Sequence, residues 1–297
     1  MEAFVDVGKS GSRLQVVERG SIRALTAKGA SPAQPGNSGL VIAEQIVEML
    51  KAADATSATH VLVGATVRLT VAEQTDFVAL VREAAPDAVL GLTDDATLSH
   101  ARHLNQPGVL LAVGTGVIAI AHSPEGVFTR FDGWGPLAGD RGSAADVGRW
   151  ALREAFRDVD ESRASELRNR VEAAVGPIDL ELAASILTDE NWPAVLAGLA
   201  QAVCELADAG DAQAGGMLEL ATDELARTVI LAVTSATAPR VVVTGRFGGA
   251  QAVRSRLTAR LGRAGITVVD ALPPAAVAAS DILSGPYSGA FLVEGGR

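Results

Sequence analysis

The sequence predicts an α/β protein of two lobes, in which the second lobe carries a helical insertion. Residues 3–7 and 13–17 are short apolar segments on either side of a Gly/Ser-rich turn, so they predict a β-hairpin at the start of the chain. The same order begins again at residues 109–113, where a strand, the tight turn Gly114-Thr115-Gly116 and a second strand follow one another. This repetition of one unit indicates an internal duplication.

The remaining elements follow each hairpin in a similar order. Ile42, Ile46 and Leu50 are four apart and predict the buried face of a helix that begins at Ser38. The other predicted helices are residues 71–83, a helix from Asp94, 144–156, most of 165–236, 250–263 and 286–294. The other predicted strands are residues 21–26, 60–64, 88–93, 117–122, 127–131, 241–244 and 266–269. We expect a first lobe at residues 1–106, a second at 107–285, and a closing helix at 286–297 that packs back on the first lobe.

Composition excludes several classes of function. Of the 297 residues, 48% are hydrophobic, and the formal net charge is -10; this balance suits packed cores and disfavours binding to nucleic acid or anionic membranes. The single cysteine, Cys204, excludes a disulfide framework and a cysteine-based zinc site. The uncharged run between Arg102 and Glu125 is interrupted by the glycine turn, which predicts two strands rather than a membrane helix. The first residues lack a basic, apolar leader, so we expect a cytoplasmic protein.

The first hairpin turn, residues 6–13, has the composition of a phosphate-binding loop. Its glycines let backbone N–H groups turn toward an anion, Lys9 supplies a cation, and its serines supply hydroxyl donors. Asp6, at the end of the strand, could hold a magnesium ion through water. An ordinary hairpin turn with a solvated lysine explains the same residues. Gly8-Lys9-Ser10 is not the end of a P-loop, because Ala3 stands where that motif needs glycine and a strand follows instead of a helix.

The turn Gly114-Thr115-Gly116 occupies the equivalent place in the second half. Either turn alone is a weak signal. Since each turn opens one half of the chain, we expect the two to face each other across one cleft and to hold the two sides of a triphosphate.

Two adjacent carboxylates, Asp94 and Asp95, follow a predicted buried strand. A carboxylate at the C-terminal end of such a strand is well placed to act as a general base in a cleft. Aspartate is also a good helix N-cap. We expect one of the two to cap the helix and the other to point into the cleft.

Residues 132–143 form the most unusual stretch of the chain. Glycines and turn-prone aspartates surround Trp134 and lead into a helix. Aromatic and carboxylate groups together suit a polyol ligand, through apolar stacking and hydrogen bonds from hydroxyls. A structural loop with Trp134 as its core plug explains the composition equally well.

These motifs, in this order, resemble the N-acetylglucosamine kinase branch of the BadF/BadG/BcrA/BcrD ATPase family, within the actin/hexokinase/Hsp70-like superfamily. The resemblance covers nearly the whole chain. Its most specific part is the pattern Gly-Trp-Gly-x-x-x-Gly-Asp-x-Gly-Ser at residues 133–143; the other parts are the Asp6 hairpin, Asp95-Ala96, Gly114-Thr115-Gly116 and residues 243–249. The resemblance implies two actin-like (ribonuclease H-like) lobes around an ATP cleft that closes on the substrate, commonly in a homodimer.

The resemblance also implies a role for each matching residue. Such a protein would use ATP and Mg²⁺ to phosphorylate an amino sugar, with the 6-hydroxyl of N-acetylglucosamine as the leading acceptor. Asp95 would be the base, and Asp6 would lie near magnesium. The implied ATP-binding residues are Gly8, Lys9, Ser10, Gly11, Gly114, Thr115, Gly116, Gly245, Gly248 and Gly249. The implied sugar-site residues are Asn37, Asp95, Gly133, Trp134, Gly135 and Asp140.

The chain departs from the family pattern at several positions, which are Val7, Lys9 and Ser10 in the first turn, Val117 where many relatives carry a sugar-contacting serine, and Arg141 where an acid usually follows the Gly-Asp pair. These departures leave the sugar open. They also leave open a sugar- or nucleotide-sensing protein without catalysis. A dehydratase-activating ATPase is a third alternative, but its iron–sulfur cluster needs four thiolates per dimer, and Cys204 supplies two.

Overall fold

The computed structural model describes residues 1–8, 11–29, 38–66, 69–188, 191–236 and 238–294. Lys9, Ser10 and Asn37, which the resemblance assigns to ATP and sugar binding, lie outside the described residues. The chain divides into two compact units, one of Met1–Gln106 with Leu272–Arg297 and the other of Pro107–Ala271. The predicted end of the second lobe at residue 285 is therefore too late, since the chain belongs to the first unit again from Leu272.

The secondary structure follows the predicted order through most of the chain. The strands are β1 (Glu2–Val7), β2 (Gly11–Glu18), β3 (Ser21–Lys28), β4 (His60–Ala65), β5 (Val89–Thr93), β6 (Gly108–Val113), β7 (Val117–His122), β8 (Phe128–Asp132), β9 (Arg240–Thr244), β10 (Thr267–Val269) and β11 (Leu292–Glu294). The helices are α1 (Ser38–Ala52), α2 (Val71–Ala84), α3 (Asp95–His103), α4 (Ala144–Asp160), α5 (Glu166–Val175), α6 (Leu180–Thr188), α7 (Trp192–Asp208), α8 (Ala212–Ala236), α9 (Gln251–Arg263) and α10 (Ala279–Ser284).

Each unit is built on a mixed sheet, and the five strands of the second sheet repeat the order of five strands of the first, which has β11 as an additional edge strand. The first sheet has the order β11-β5-β4-β1-β2-β3 and the second has β10-β9-β6-β7-β8. The central strand of each, β1 or β6, pairs antiparallel with the next strand in sequence and parallel with β4 or β9. The outer strands repeat the same directions in both sheets. The internal duplication predicted from the sequence is therefore confirmed.

Helix α1 packs one apolar face against the first unit's core. Ile42, Ile46 and Leu50 are fully buried, in the same cluster as Val5 of β1 and Val63 of β4. Burial of each such side chain stabilises the fold by about 2 kcal/mol. The helical face predicted from the spacing of these residues is confirmed.

Helices α4 to α8 lie between β8 and β9 and form the predicted helical insertion. Helix α8 buries Leu218, Leu225 and Val229 on one side, as their spacing predicts. Within the part of the chain that the structure describes, no helix combines the length and the apolar character that a bilayer crossing requires.

The end of the chain does not form the predicted closing helix. Residues 286–294 form a short 3₁₀ turn, Ser288–Ala290, and then β11, which pairs antiparallel with β5. Pro286 and Gly289 weaken any helix in this stretch. The edge of β5 also presents backbone groups that need partners, so strand pairing prevails over the local preference.

The terminal segment is bound to the strand and helix that surround the Asp94-Asp95 pair. The buried Tyr287 hydroxyl lies 2.9 Å from Nδ1 of His100 on α3. Thr93, the last residue of β5, donates its hydroxyl to the Ala290 carbonyl at 2.8 Å. These contacts fix the junction of β5 and α3 from the side of the tail.

Candidate functional site

In the first unit, three polar side chains meet at the carboxyl ends of neighbouring parallel strands. Asp6 lies near the end of β1, Thr66 directly follows β4, and Asp95 begins the helix after β5. The carboxyl edge of a parallel sheet is where open α/β folds bind ligands, because the loops and helix N-termini converge there.

The two adjacent aspartates do different work. Asp94 caps α3, since its Oδ1 accepts a hydrogen bond from the Thr97 amide at 2.8 Å and its Oδ2 accepts one from the Thr97 hydroxyl at 2.6 Å. Asp95 is half-buried, and its Oδ2 lies 3.1 Å from Oγ1 of Thr66. The expectation that one aspartate caps the helix is confirmed for Asp94, which leaves Asp95 as the candidate base.

A glycine in β4 makes room for Asp95. A Cβ on Gly64 would lie 2.9 Å from the Cα of Asp95 and 3.0 Å from the Cβ of Leu98. Any larger residue would push the start of α3 away from the sheet. Sequence reasoning missed Gly64, although a glycine inside a buried strand is a known sign of close backbone approach.

Burial, together with nearby charges, sets the protonation of Asp6. Burial raises the pKa of the Asp6 carboxyl to about 6; the positive charges of Arg102 and Arg13 oppose the rise, and the negative charge of Asp95 adds to it. Arg102 is itself buried, with its guanidinium 4.2 Å from the centre of the Phe4 ring. Asp6 is therefore mostly ionised at pH 7, yet poorly solvated, and a nearby cation would lower its pKa.

The first hairpin turn is closed by its own backbone. The Gly8 amide donates to the Gly11 carbonyl at 3.1 Å, and a Cβ on Gly8 would lie 2.9 Å from that oxygen. The Gly8 N–H is thus used inside the turn. Lys9 and Ser10, between these two glycines, lie outside the described part.

In the second unit, the turn between β6 and β7 rests on the start of α4. The amides of Ala144 and Ala145 donate to the carbonyls of Gly114 and Thr115, at 3.0 and 3.2 Å. These bonds satisfy amides of the first helical turn that no intrahelical carbonyl can reach. Thr115 is left exposed at the tip.

Asp132 organises the loop that leads from β8 to α4. Its buried carboxylate accepts hydrogen bonds from the amides of Asp140, at 2.8 Å, and Arg141, at 3.2 Å. The Arg141 guanidinium lies 3.5 Å from the same carboxylate. A Cβ on Gly139 would collide with Asp132 Oδ1, so glycine is required there.

Asp140 connects this loop to the glycine turn. Its Oδ1 accepts a hydrogen bond from the Val117 amide at 3.2 Å, and a Cβ on Gly116 would lie 2.7 Å from its Oδ2. Burial raises the pKa of Asp140, whereas the hydrogen bond from Val117 opposes the rise. Asp140 of the loop after β8 and Gly116 of the turn between β6 and β7, which the sequence analysis treated as separate motifs, are therefore neighbours.

Trp134 is not a core plug. Its side chain is 66% exposed, and the guanidinium of Arg130 lies 5.9 Å from the ring centre. Gly133 and Gly135 on either side have φ of 68° and 86°, a region that favours glycine. The tryptophan ring is available to a ligand.

A pocket of about 450 Å³ opens beside the glycine turn of the second unit. The pocket is lined by Gly114 and Thr115, by Arg246 and Phe247 of the loop after β9, and by residues of α7, which form a wall. The loop is held by the Gly248 amide, which donates to the Val113 carbonyl at 3.0 Å. Pockets of this volume accept nucleotide-sized ligands.

Helix α7 reaches this position through close packing on α4. A Cβ on Gly148 of α4 would lie only 1.8 Å from the carbonyl oxygen of Leu196 on α7. The pocket side of α7 carries Ala194, Ala197 and Gly198. These small residues leave the space that forms the pocket.

A family model for the BadF/BadG/BcrA/BcrD ATPase family matches residues 5–279. The chain belongs to this family. Over 54 residues it is 43% identical to an N-acetyl-D-glucosamine kinase of Dictyostelium discoideum, a match that spans 18% of this chain and 17% of that protein.

Solved structures of similar fold include several sugar kinases. A candidate N-acetylglucosamine kinase from Porphyromonas gingivalis has a TM-score of 0.71 at 16% identity, over 92% of this chain and 95% of that chain. A second from Chromobacterium violaceum has a TM-score of 0.66 at 24% identity, over 90% and 93%. A ROK family glucokinase from Streptomyces griseus, in complex with glucose and AMPPNP, has a TM-score of 0.53 at 14% identity, over 91% and 94%. The predicted actin-like α/β fold is confirmed.

For this BadF/BadG/BcrA/BcrD family member, the structure groups the predicted residues by unit. It brings Asp6, Gly8, Gly11 and Asp95 together in the first unit. In the second unit, contacts join Gly114, Thr115 and Gly116 with Asp140 and with the glycine loop at residues 245–249. Sequence reasoning missed Thr66 and the pocket wall, since both depend on contacts between distant segments.

Cys204 offers a direct test of the pocket in this family member. It is the one cysteine of the sequence and lines the pocket. Burial raises the pKa of its thiol to about 11, so labelling by a small thiol reagent at pH 8 should be slow. We expect ATP at ten times its Kd to slow the labelling further, by about tenfold. If ATP does not change the rate of Cys204 labelling while calorimetry shows that ATP is bound, the nucleotide binds outside this pocket.

Proposed function

We propose that this chain is an ATP-dependent kinase that transfers the γ-phosphoryl group to a hydroxyl of an amino sugar, with the 6-hydroxyl of N-acetylglucosamine as the first candidate acceptor. The observation that carries the proposal is Asp95. Its carboxylate is half-buried beside Asp6 and Thr66, while the capping duty falls on Asp94. A carboxylate spared from capping and placed at the carboxyl edge of a sheet suits a general base.

In this proposal Asp95 accepts the proton of the sugar hydroxyl while the hydroxyl oxygen forms a bond to the γ-phosphorus. The bond between that phosphorus and the β–γ bridging oxygen breaks, and ADP leaves. The Thr66 hydroxyl, at 3.1 Å, and the Ala96 amide, at 2.9 Å, hold the carboxylate in place. The turn at Gly114-Thr115-Gly116 and the pocket beside it would bind the nucleotide.

The proposal includes Mg²⁺, and the residues at Asp6 fit it. Mg²⁺ commonly uses one or two protein carboxylates and completes its shell with phosphates and water. Asp6 supplies a poorly solvated carboxylate whose pKa is raised by burial and by Asp95. Bound Mg²⁺ would neutralise charge on the phosphates. We also propose a homodimer, as the family resemblance implies, and a cytoplasmic location.

The sugar assignment depends on the loop between β8 and α4. The exposed ring of Trp134 offers an apolar face for a pyranose, and the half-buried Asp140 offers an acceptor for hydroxyls. The segment identity with an N-acetyl-D-glucosamine kinase supports the same class of acceptor.

A panel of hexoses and N-acetylhexosamines tests the function. ADP release, coupled to a spectrophotometric assay, should rise most with N-acetylglucosamine, and phosphorus NMR of the product should show a 6-phosphate. Turnover of a different sugar would show that the proposed acceptor is wrong and that the proposed kinase activity is right. Calorimetric sugar binding with no turnover of any sugar would favour the sensing protein instead, in line with Arg141 and its contact to Asp132.

A further inference from the structure

The wall of the pocket in the second unit carries one amide side chain among small residues. Ala194, Ala197, Gly198 and Gln201 recur at i, i+3, i+4 and i+7 on α7 and all line the pocket. This spacing puts them on one face of the helix. Gln201 is therefore the polar group that the α7 wall presents to whatever fills the space.

Two neighbours fix which way the Gln201 amide points. Its Nε2 donates to Glu205 Oε1 at 2.9 Å, and its Oε1 lies 3.5 Å from the Arg246 guanidinium, which donates to it. Both partners would be mismatched if the amide were flipped. An amide has two N–H donors and two acceptor lone pairs, so one donor and one acceptor remain after these bonds.

A donor and an acceptor side by side match the edge of adenine. Adenine presents an N6 amino donor next to a ring-nitrogen acceptor, and glutamine pairs with this edge through two hydrogen bonds. Guanine presents an oxygen acceptor in place of the amino donor, so it would set two acceptors against each other.

We infer that Gln201 is the residue that selects adenine over guanine in this pocket. The inference rests on the proposed function, because it takes the pocket as the nucleotide site of the kinase. Gly114 and Thr115, which line the pocket, would receive the phosphates, and the α7 wall would receive the base.

Gln201→Leu and Gln201→Glu test the inference. Gln201→Leu removes both hydrogen bonds to the base, so ATP affinity should fall by about 5- to 150-fold, the range for one bidentate contact. Gln201→Glu turns the donor into an acceptor, which suits the N–H groups of guanine, so the ratio of ATP to GTP affinity should fall by at least about tenfold. Gln213→Leu is the matched control, since Gln213 bonds Glu154 away from the residues that line the pocket.

The double variant Gln201→Glu with Glu205→Gln guards against a trivial outcome. In the single variant, the new glutamate would stand beside Glu205, and repulsion between the two carboxylates would distort the wall. In the double variant, the residue at 205 is the donor and the residue at 201 is the acceptor, which reverses the hydrogen bond of the unmodified protein. It should show the same shift toward GTP with a melting temperature close to that of the unmodified protein.

Affinities are measured by calorimetry and by protection of Cys204, with ATP and GTP and without sugar. An ATP-to-GTP ratio that is unchanged in both Gln201 variants would overturn the inference. That outcome would not contradict the proposed kinase activity. Conversely, a protein that binds ATP but phosphorylates no sugar would lose the proposed function while Gln201 kept its role.

Discussion

Replacing Asp95 by asparagine is expected to lower kcat by about 10²- to 10⁴-fold, the contribution typical of a general base. The amide cannot take up the hydroxyl proton at neutral pH. It can still accept from the Ala96 amide and contact Thr66, so the local structure should persist. ATP affinity should stay near that of the unmodified protein, because the substitution removes no group from the pocket of the second unit.

Asp94→Asn is the matched control for this experiment. Asparagine is as good an N-cap as aspartate, and the bonds to Thr97 can be kept. We expect near-normal kcat and an unchanged melting temperature. If the Asp94 variant loses turnover and the Asp95 variant keeps it, the base has been assigned to the wrong aspartate. Measurement of kcat, KM and thermal unfolding for both variants separates these results.

The Asp94-Asp95 pair shows what local sequence can predict. Strand burial and the chemistry of caps are short-range properties, so the sequence indicated that one aspartate would cap and one would be left over. That Asp95 is the aspartate left over depends on Thr66, 29 residues away, and on the space left by Gly64. Such contacts follow from the register of β4 against β5, which a single sequence does not contain.

The end of the chain shows the opposite case. Residues 286–294 have no strong preference of their own, and the expectation of a helix was wrong there. The segment forms a strand because it pairs with the edge of β5, about two hundred residues earlier in the chain. The fold could be predicted because the duplicated hairpins repeat a local pattern, whereas the terminal strand is set by a long-range pairing.

The pocket of the second unit could not be predicted for a related reason. The small residues of α7 have the spacing of a helix face that packs closely against a neighbour. Leu196, Leu199 and Val203 on the other side of the helix are indeed buried in the core. Only the position of α7 against Gly148 shows that the small face borders open space beside Thr115.

Gly198→Leu is expected to abolish nucleotide binding while leaving the fold intact. A Cβ at Gly198 meets no atom within 4 Å, so the new side chain would project into the pocket without a clash inside the protein. Replacement of a helical glycine should stabilise α7 by about 1 kcal/mol, which would raise the melting temperature by about 2–4 °C. ATP affinity should fall by at least about a hundredfold, because the leucine occupies the space of the ligand.

Gly216→Leu on α8 separates binding from stability. Gly216 is exposed, lies inside a helix, and a Cβ there also meets no atom within 4 Å. It should give the same gain in helix stability with normal ATP affinity. If both variants bind ATP equally well, the pocket beside Thr115 is not the nucleotide site, and the role of Gln201 falls with it. If Gly198→Leu alone loses ATP and gains thermal stability, the loss comes from filling the pocket and not from damage to the fold.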